Sequence, residues 1–187
     1  MNHPTQLTRS RQVTPTGVER TFGVDEVIVT KTDLTGHITY ANNVFLRVSG
    51  YAEHEMLGQP HSMIRHPDMP RGVFKLLWDR VQAEREIFAY VVNLAADGAH
   101  YWVLAHVTPS FDGSGQVVGY HSNRRVPPRA ALEVMVPVYD RMRAAEQGQA
   151  NARAAAETGL AVLEELLAER GVTYDEFVWS LYPETEL

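Results

Sequence analysis

Ile87-Phe88-Ala89-Tyr90-Val91-Val92-Asn93-Leu94-Ala95, then Asp97-Gly98, then Tyr101 to Ser110, Gly113-Ser114-Gly115 and Val117 to Asn123, is the stretch that decides the fold. Each run has strand length and is rich in β-branched and aromatic residues. Asp-Gly and Gly-Ser-Gly are the turn signals expected between successive hairpin strands, so the segment predicts a three-strand antiparallel meander.

Upstream the pattern supplies two more strands. Glu26 to Thr30 reads as a strand, Asp33-Leu-Thr-Gly36 as a tight turn and His37 to Tyr40 as its partner. Asn42 or Asn43 then caps a short helix carrying Val44, Phe45 and Val48 and stopped by Gly50, and a second short helix covers about 52 to 57 before Gly58. Pro70 stands where a helix tolerates a first-turn proline, and Val73, Phe74, Leu77, Trp78 and Val81 follow at helical spacing. Two strands, helices and a meander predict an α+β domain, an antiparallel sheet with helices gathered over one face.

Between those apolar stretches lies Gly58-Gln-Pro-His61-Ser-Met-Ile-Arg65-His66-Pro67-Asp68-Met69-Pro70. Two histidines, an arginine and an aspartate stand where no packing requirement calls for them. Prolines 60, 67 and 70 restrict the backbone and hold those groups in defined directions, which suits the rim of a ligand pocket better than a solvated loop.

Pro127-Pro128 marks the exit from the sheet domain, and helices follow. Leu132, Met135, Tyr139 and Met142 form one stripe, with Pro137 expected to kink it or start a helix. Leu160, Leu163 and Leu167 form a second, stopped by Gly171, and Thr173 with Glu176 makes a capping box for a last helix bearing Phe177, Val178 and Leu181. The stripes fit either packing back on the sheet domain or contact with a second copy or a partner. The expected organisation is a polar N-terminal tail or cap over 1–22, an α+β sheet domain over 23–126 and a helical extension over 127–187.

Composition bounds the function. A net charge of −6 over 187 residues gives no global basic field, against nucleic acid or an anionic membrane surface as main partner, and the short pair Arg124-Arg125 does not change that. Without cysteine there is no disulfide, thiolate nucleophile, Cys-ligated zinc or iron-sulfur cluster. No run approaches the roughly 20 apolar residues of a membrane span and Met1-Asn-His-Pro-Thr lacks a secretory start, which fits a cytoplasmic protein. No nucleotide-binding glycine loop and no kinase, cyclase or hydrolase motif is present, so an enzyme is not expected.

Several residues carry a further signal together. Thr39-Tyr-Ala-Asn42-Asn-Val-Phe45 with Val48-Ser-Gly50-Tyr51, Gly58-Gln-Pro-His61 with Arg65-His66-Pro67-Asp68-Met69-Pro70, Trp78, Asn93, and Asp97-Gly98 with His100-Tyr101-Trp102-Val103 resemble a PAS sensory domain, more closely the flavin-binding PAS domains of bacterial aerotaxis receptors. The resemblance covers about 24 to 145. It implies a five-stranded antiparallel sheet with flanking helices, an FAD between sheet and helices, and redox or oxygen-related sensing. It links Asn42, His61, Arg65, His66, Asp68, Trp78 and Asn93 to flavin binding or signalling. This chain departs from the family at Ile87, often a tryptophan there, and at Leu94, often an arginine.

Residue chemistry can be weighed beside the resemblance. An isoalloxazine ring needs apolar walls and a few polar groups converging on one edge, and the Asn93 carboxamide among valines suits such an edge; an edge-strand or bulge asparagine is the plain alternative. Trp78 fits a core stripe as well as a cofactor wall, and an N-cap alone would explain Asn42. Arg65 and His66 suit a pyrophosphate or the charge a flavin gains on reduction, or could simply pair with Asp68. His61, His66 and Asp68 lack a recognised metal spacing, and His100 is a conceivable haem ligand or an exposed strand histidine. FAD is the expected cofactor, with FMN or haem as alternatives. The expected output runs through the tail or the helices after Pro128 to a signalling partner or homodimer, with a ligand-free docking module as the competing class.

Overall fold

The computed structural model describes residues 13–182. Five strands form one antiparallel sheet: β1 (Ile28–Thr32), β2 (Ile38–Ala41), β3 (Ile87–Leu94), β4 (His100–Phe111) and β5 (Val117–Arg125), in the order β2-β1-β5-β4-β3. Between β2 and β3 come α1 (Asn43–Ser49), α2 (Glu53–Met56), a 3-10 turn (His61–Ile64) and α3 (Arg71–Gln82); after β5 come α4 (Arg129–Glu146), α5 (Ala152–Arg170) and α6 (Tyr174–Ser180). The five-stranded α+β architecture expected from the sequence is the one observed. The expected strand ends shift by about two residues: β1 starts later and β5 extends through Arg125.

Register assigns the two faces. Asn93 lies opposite Tyr101, Val91 opposite Val103 and Ala89 opposite Ala105, and the same face continues through Arg124 and Ser122 of β5 to Thr30 of β1. α3 covers this inner face. On the far face Phe88 stacks on His106 and meets Trp179 of α6, and Trp102 stacks on Tyr139 of α4. The helices therefore cover both faces rather than one, and β3, buried on both, reads as a continuous apolar run instead of an alternating one.

That arrangement also protects the sheet's edge. β3 ends the sheet, so its outer carbonyls need partners. The Tyr139 hydroxyl donates to the Tyr90 carbonyl at 2.6 Å and the Tyr174 hydroxyl to the Phe88 carbonyl at 2.9 Å. Of the two roles open to the C-terminal stripes, packing back on the sheet domain is what the described residues show: Leu132, Met135, Tyr139, Met142, Leu160, Leu163, Leu167, Phe177 and Val178 are buried in the same core as the sheet. Pro137 lies inside α4 and does not start it.

The N-terminal expectation splits. Residues 1–12 and 183–187 lie outside the described residues. Thr16, Val18 and Arg20 exchange backbone hydrogen bonds with Gly98 and His100, so this stretch caps the β3–β4 hairpin. Gly98 has φ +87°, and a Cβ there would stand 2.3 Å from the Thr14 carbonyl, which is why the turn takes glycine.

Candidate functional site

A cavity of about 410 Å³ lies between the inner face of the sheet, α3 and the 3-10 turn, within the usual size of a small-molecule site. Helical spacing puts Phe74, Leu77, Trp78 and Val81 of α3 on one wall; Val91, Ala105 and Val107 form the facing wall. Trp78 meets Tyr120 edge-on at 5.5 Å. The lining also includes the polar side chains of Thr30, His61, Ser62, Arg65, Asn93, Ser122 and Arg124.

These polar groups are unfinished. Asn93 Nδ2, Ser122 Oγ, Arg65 Nε and one terminal nitrogen of Arg124 are buried without a protein partner. Buried polar atoms are rarely left so, and four around one apolar-walled space fit a ligand with a polar edge. The site is also electropositive, since no Asp or Glu lines it. Arg124 donates to Thr30 Oγ1 at 2.8 Å and to His61 Nε2 at 2.7 Å. Desolvation, then the cationic Arg124 and Arg65, push the His61 pKa well below its usual value, so the ring accepts that bond in its neutral form.

Arg65 stands at a junction. Its guanidinium lies 3.7 Å from the centre of the Phe74 ring, and with Pro60 and Ser62 it lines both the cavity and an outer groove of about 1510 Å³. That groove also carries Tyr51, His54, His66, Arg71 and Arg143.

The structure thus brings His61, Arg65, Trp78 and Asn93 to the cavity and puts His66 in the outer groove. Asn42 is absent from both linings. Its Oδ1 accepts from the backbone of Phe45 and Val29, both at 3.0 Å, and its Nδ2 donates to the Val27 carbonyl at 2.8 Å, so it caps α1 and anchors the chain ahead of β1. Asp68 lines neither space; it is exposed and pairs with Arg143 at 2.6 Å. His66 is buried, and its Nδ1 accepts the Asp68 amide at 3.1 Å. His100 lines neither space and sits edge-on to His66. Among the described residues no group of three or more His, Asp or Glu side chains could hold a metal ion, and no helix is long and apolar enough to cross a membrane.

Sequence reasoning missed Thr30, Ser122 and Arg124. Tyr120, Ser122 and Arg124 alternate along β5, a period-2 signal that sets all three on one face.

Neutral histidine in the folded state makes stability depend on pH. The folded protein resists protonating His61 while the unfolded chain accepts a proton near pH 6.5, so the contribution is complete above that pH and is lost as pH falls toward the depressed folded value. The slope reaches about 1.4 kcal/mol per pH unit for one such group. Urea midpoints should drop from pH 7.5 to 5.5, and His61→Gln should drop less, because it loses the His61 share while His66 and His121, shifted the same way by burial, still contribute. Equal drops in both proteins would remove His61 from this account.

Comparison with known proteins agrees with the geometry. Residues 38–124 match the family model described as PAS fold. The aerotaxis receptor of Escherichia coli K12 is 37% identical over 120 residues, 64% of this chain and 24% of that receptor. The nitrogen fixation regulatory protein of Klebsiella pneumoniae is 28% identical over 99 residues, 53% of this chain and 20% of that protein. The chain therefore spans a quarter or less of the length of these curated relatives. Among solved structures, a light-oxygen-voltage domain from a flavin-analogue study superposes with a TM-score of 0.53 at 19% identity, over 62% of this chain and 86% of that one. The light state of the blue-light photoreceptor Aureochrome1 LOV gives 0.52 at 23%, over 61% and 90%. At such identities these two show the fold alone.

Proposed function

We propose that this chain, which carries a PAS domain of the aerotaxis-receptor type, is a sensor that holds FAD and passes its redox state to a signalling partner. The observation that carries the reading is the apolar-walled cavity with four orphaned polar atoms and no carboxylate. The residues present fit a flavin: Phe74, Leu77, Trp78, Val91 and Val107 offer flat apolar contact, and Asn93 and Ser122 offer hydrogen bonds to a polar edge. A bound flavin supplies reversible electron uptake with a change of charge at its ring edge.

The outer groove favours the dinucleotide over FMN. Arg65 stands between the two spaces, and Arg71 and Arg143 continue outward beside the neutral His66, with Glu55 and Glu146 also in the lining; the arginines suit a pyrophosphate, with room beyond it for an adenosine. No bond of a substrate needs to be broken, and the chain acts as a binding module and not as an enzyme. Output runs through the segment His61 to Pro70. Asp68 pairs with Arg143 of α4, and the Glu146 carboxylate at the end of α4 accepts the backbone N–H groups of Arg71 and Gly72, both at 2.9 Å, at the start of α3. A rearrangement of Arg65 and His66 therefore reaches the C-terminal helices within a few contacts.

Purified protein should show absorption bands at about 450 nm and release FAD on denaturation, identified by mass. A Soret band, or a colourless protein that takes up neither FAD nor FMN, would overturn the reading; FMN alone would leave the flavin site and refute the assignment of the outer groove.

A further inference from the structure

We propose that Arg124 is the counter-charge for electrons stored in the cavity, so that it sets how readily the bound flavin is reduced; the inference rests on the flavin reading given above. Arg124 is 4% exposed and projects from β5, opposite Ala105 of β4 and Ile28 of β1, onto the inner face. Its protein partners are neutral: the Thr30 hydroxyl and the neutral ring of His61. Its other terminal nitrogen is buried and unpaired, and among the described residues no carboxylate meets it. By contrast Arg20, Arg47, Arg80, Arg129, Arg143 and Arg153 each have a carboxylate partner.

A buried cation with neutral partners is costly, and the cost is offset where a ligand brings the missing negative charge. Burial lowers the Arg124 pKa to about 10, which leaves the guanidinium charged at neutral pH. A ring that takes two electrons from a donor and one proton from solvent gains one net negative charge. A fixed cation that is itself buried stabilises that state over the neutral oxidised one. The planar fork of arginine can meet a carbonyl edge with its unpaired nitrogen while the other stays anchored on Thr30 and His61.

The test is a spectroelectrochemical titration of the full chain with its bound flavin, using dithionite as electron donor, on wild type, Arg124→Lys and Arg124→Gln. Wild type should have a midpoint potential above that of free flavin in the same cell. Arg124→Gln should favour reduction at least tenfold less, about 30 mV downward for a two-electron couple, and Arg124→Lys should stay closer to wild type than to the glutamine variant. A glutamine variant that keeps its flavin and the wild-type potential would overturn the inference, as would a wild-type potential below that of free flavin. The second criterion decides the matter alone if the glutamine variant loses flavin or fails to fold. A wild-type protein without flavin is recognised from its spectrum beforehand and refutes the underlying reading, and the inference with it.

Discussion

Gly72→Ala is expected to cost about 3 kcal/mol or more and to empty the cavity of its ligand. A Cβ on Gly72 would stand 2.4 Å from the Leu160 backbone nitrogen and 2.7 Å from the Gly159 carbonyl carbon. Both are backbone atoms of α5, so no side-chain rotation relieves the contact, and α3 or α5 must move as a body. α3 carries Phe74, Leu77 and Trp78, the wall of the cavity, so the displacement reaches the site directly.

Gly159→Ala provides the contrast. Its Cβ would meet Oε1 of Glu146, the far end of a flexible side chain, which can swing away at the loss of its bonds to the start of α3. That change should cost about 1 kcal/mol, the scale of a lost helix cap, and leave the uptake of the proposed flavin unchanged. Urea denaturation and flavin stoichiometry of both variants measure the difference, and a Gly72→Ala protein as stable and as yellow as wild type would show that α5 is not seated tightly on α3.

The joint at Gly72 is invisible in the sequence, and the reason generalises. The meander was legible because turn residues and β-branched runs act locally: Asp97-Gly98 and Gly113-Ser-Gly115 mark the hairpins wherever the rest of the chain lies. Gly72 in a helix needs a partner 87 positions away, and nothing local announces it. The ends of β1 and β5 blurred for a related reason. Both strands turn polar where they border the cavity, through Thr30 and Thr32 on one and Ser122 and Arg124 on the other, so hydrophobicity fades before the strand does. Arg124 accordingly fell just beyond the expected strand end at Asn123, although it lies on β5 and on the inner face.

The site was legible in proportion to how little else each residue had to do. Arg65 and Asn93 have no packing role that calls for their chemistry, and both line the cavity with atoms unpaired. Asn42 is held by its cap and its strand and lines neither space, so its chemistry is accounted for without a ligand. Trp78, ambiguous on an apolar stripe, lines the cavity and also packs on Tyr120. The far face had a sign of its cover too, since Phe88, Tyr90, Trp102 and Leu104 alternate with the inner residues and are too apolar to face water together.

Asn93→Leu should move stability and binding in opposite directions. Asn93 is 4% exposed, and its Nδ2 is buried without a partner when no ligand is bound. A leucine has the same branched shape, its extra bulk can extend into the adjoining cavity, and it removes that unsatisfied donor, so the ligand-free protein should gain about 1 kcal/mol. On the flavin reading proposed above, the same change deletes a hydrogen bond to the ligand and leaves an acceptor on the ring edge desolvated, a loss of about 1 to 3 kcal/mol, or roughly fivefold to 150-fold in affinity. Misfolding lowers both quantities, and a solvated or purely structural asparagine raises neither the apo stability nor the dissociation constant. Opposed signs in the measurement would therefore identify Asn93 as a ligand-facing group held ready at the expense of the empty fold. Calorimetric titration with FAD and thermal unfolding of the stripped protein provide the two numbers. An unchanged dissociation constant would take Asn93 out of the site, however the stability moved.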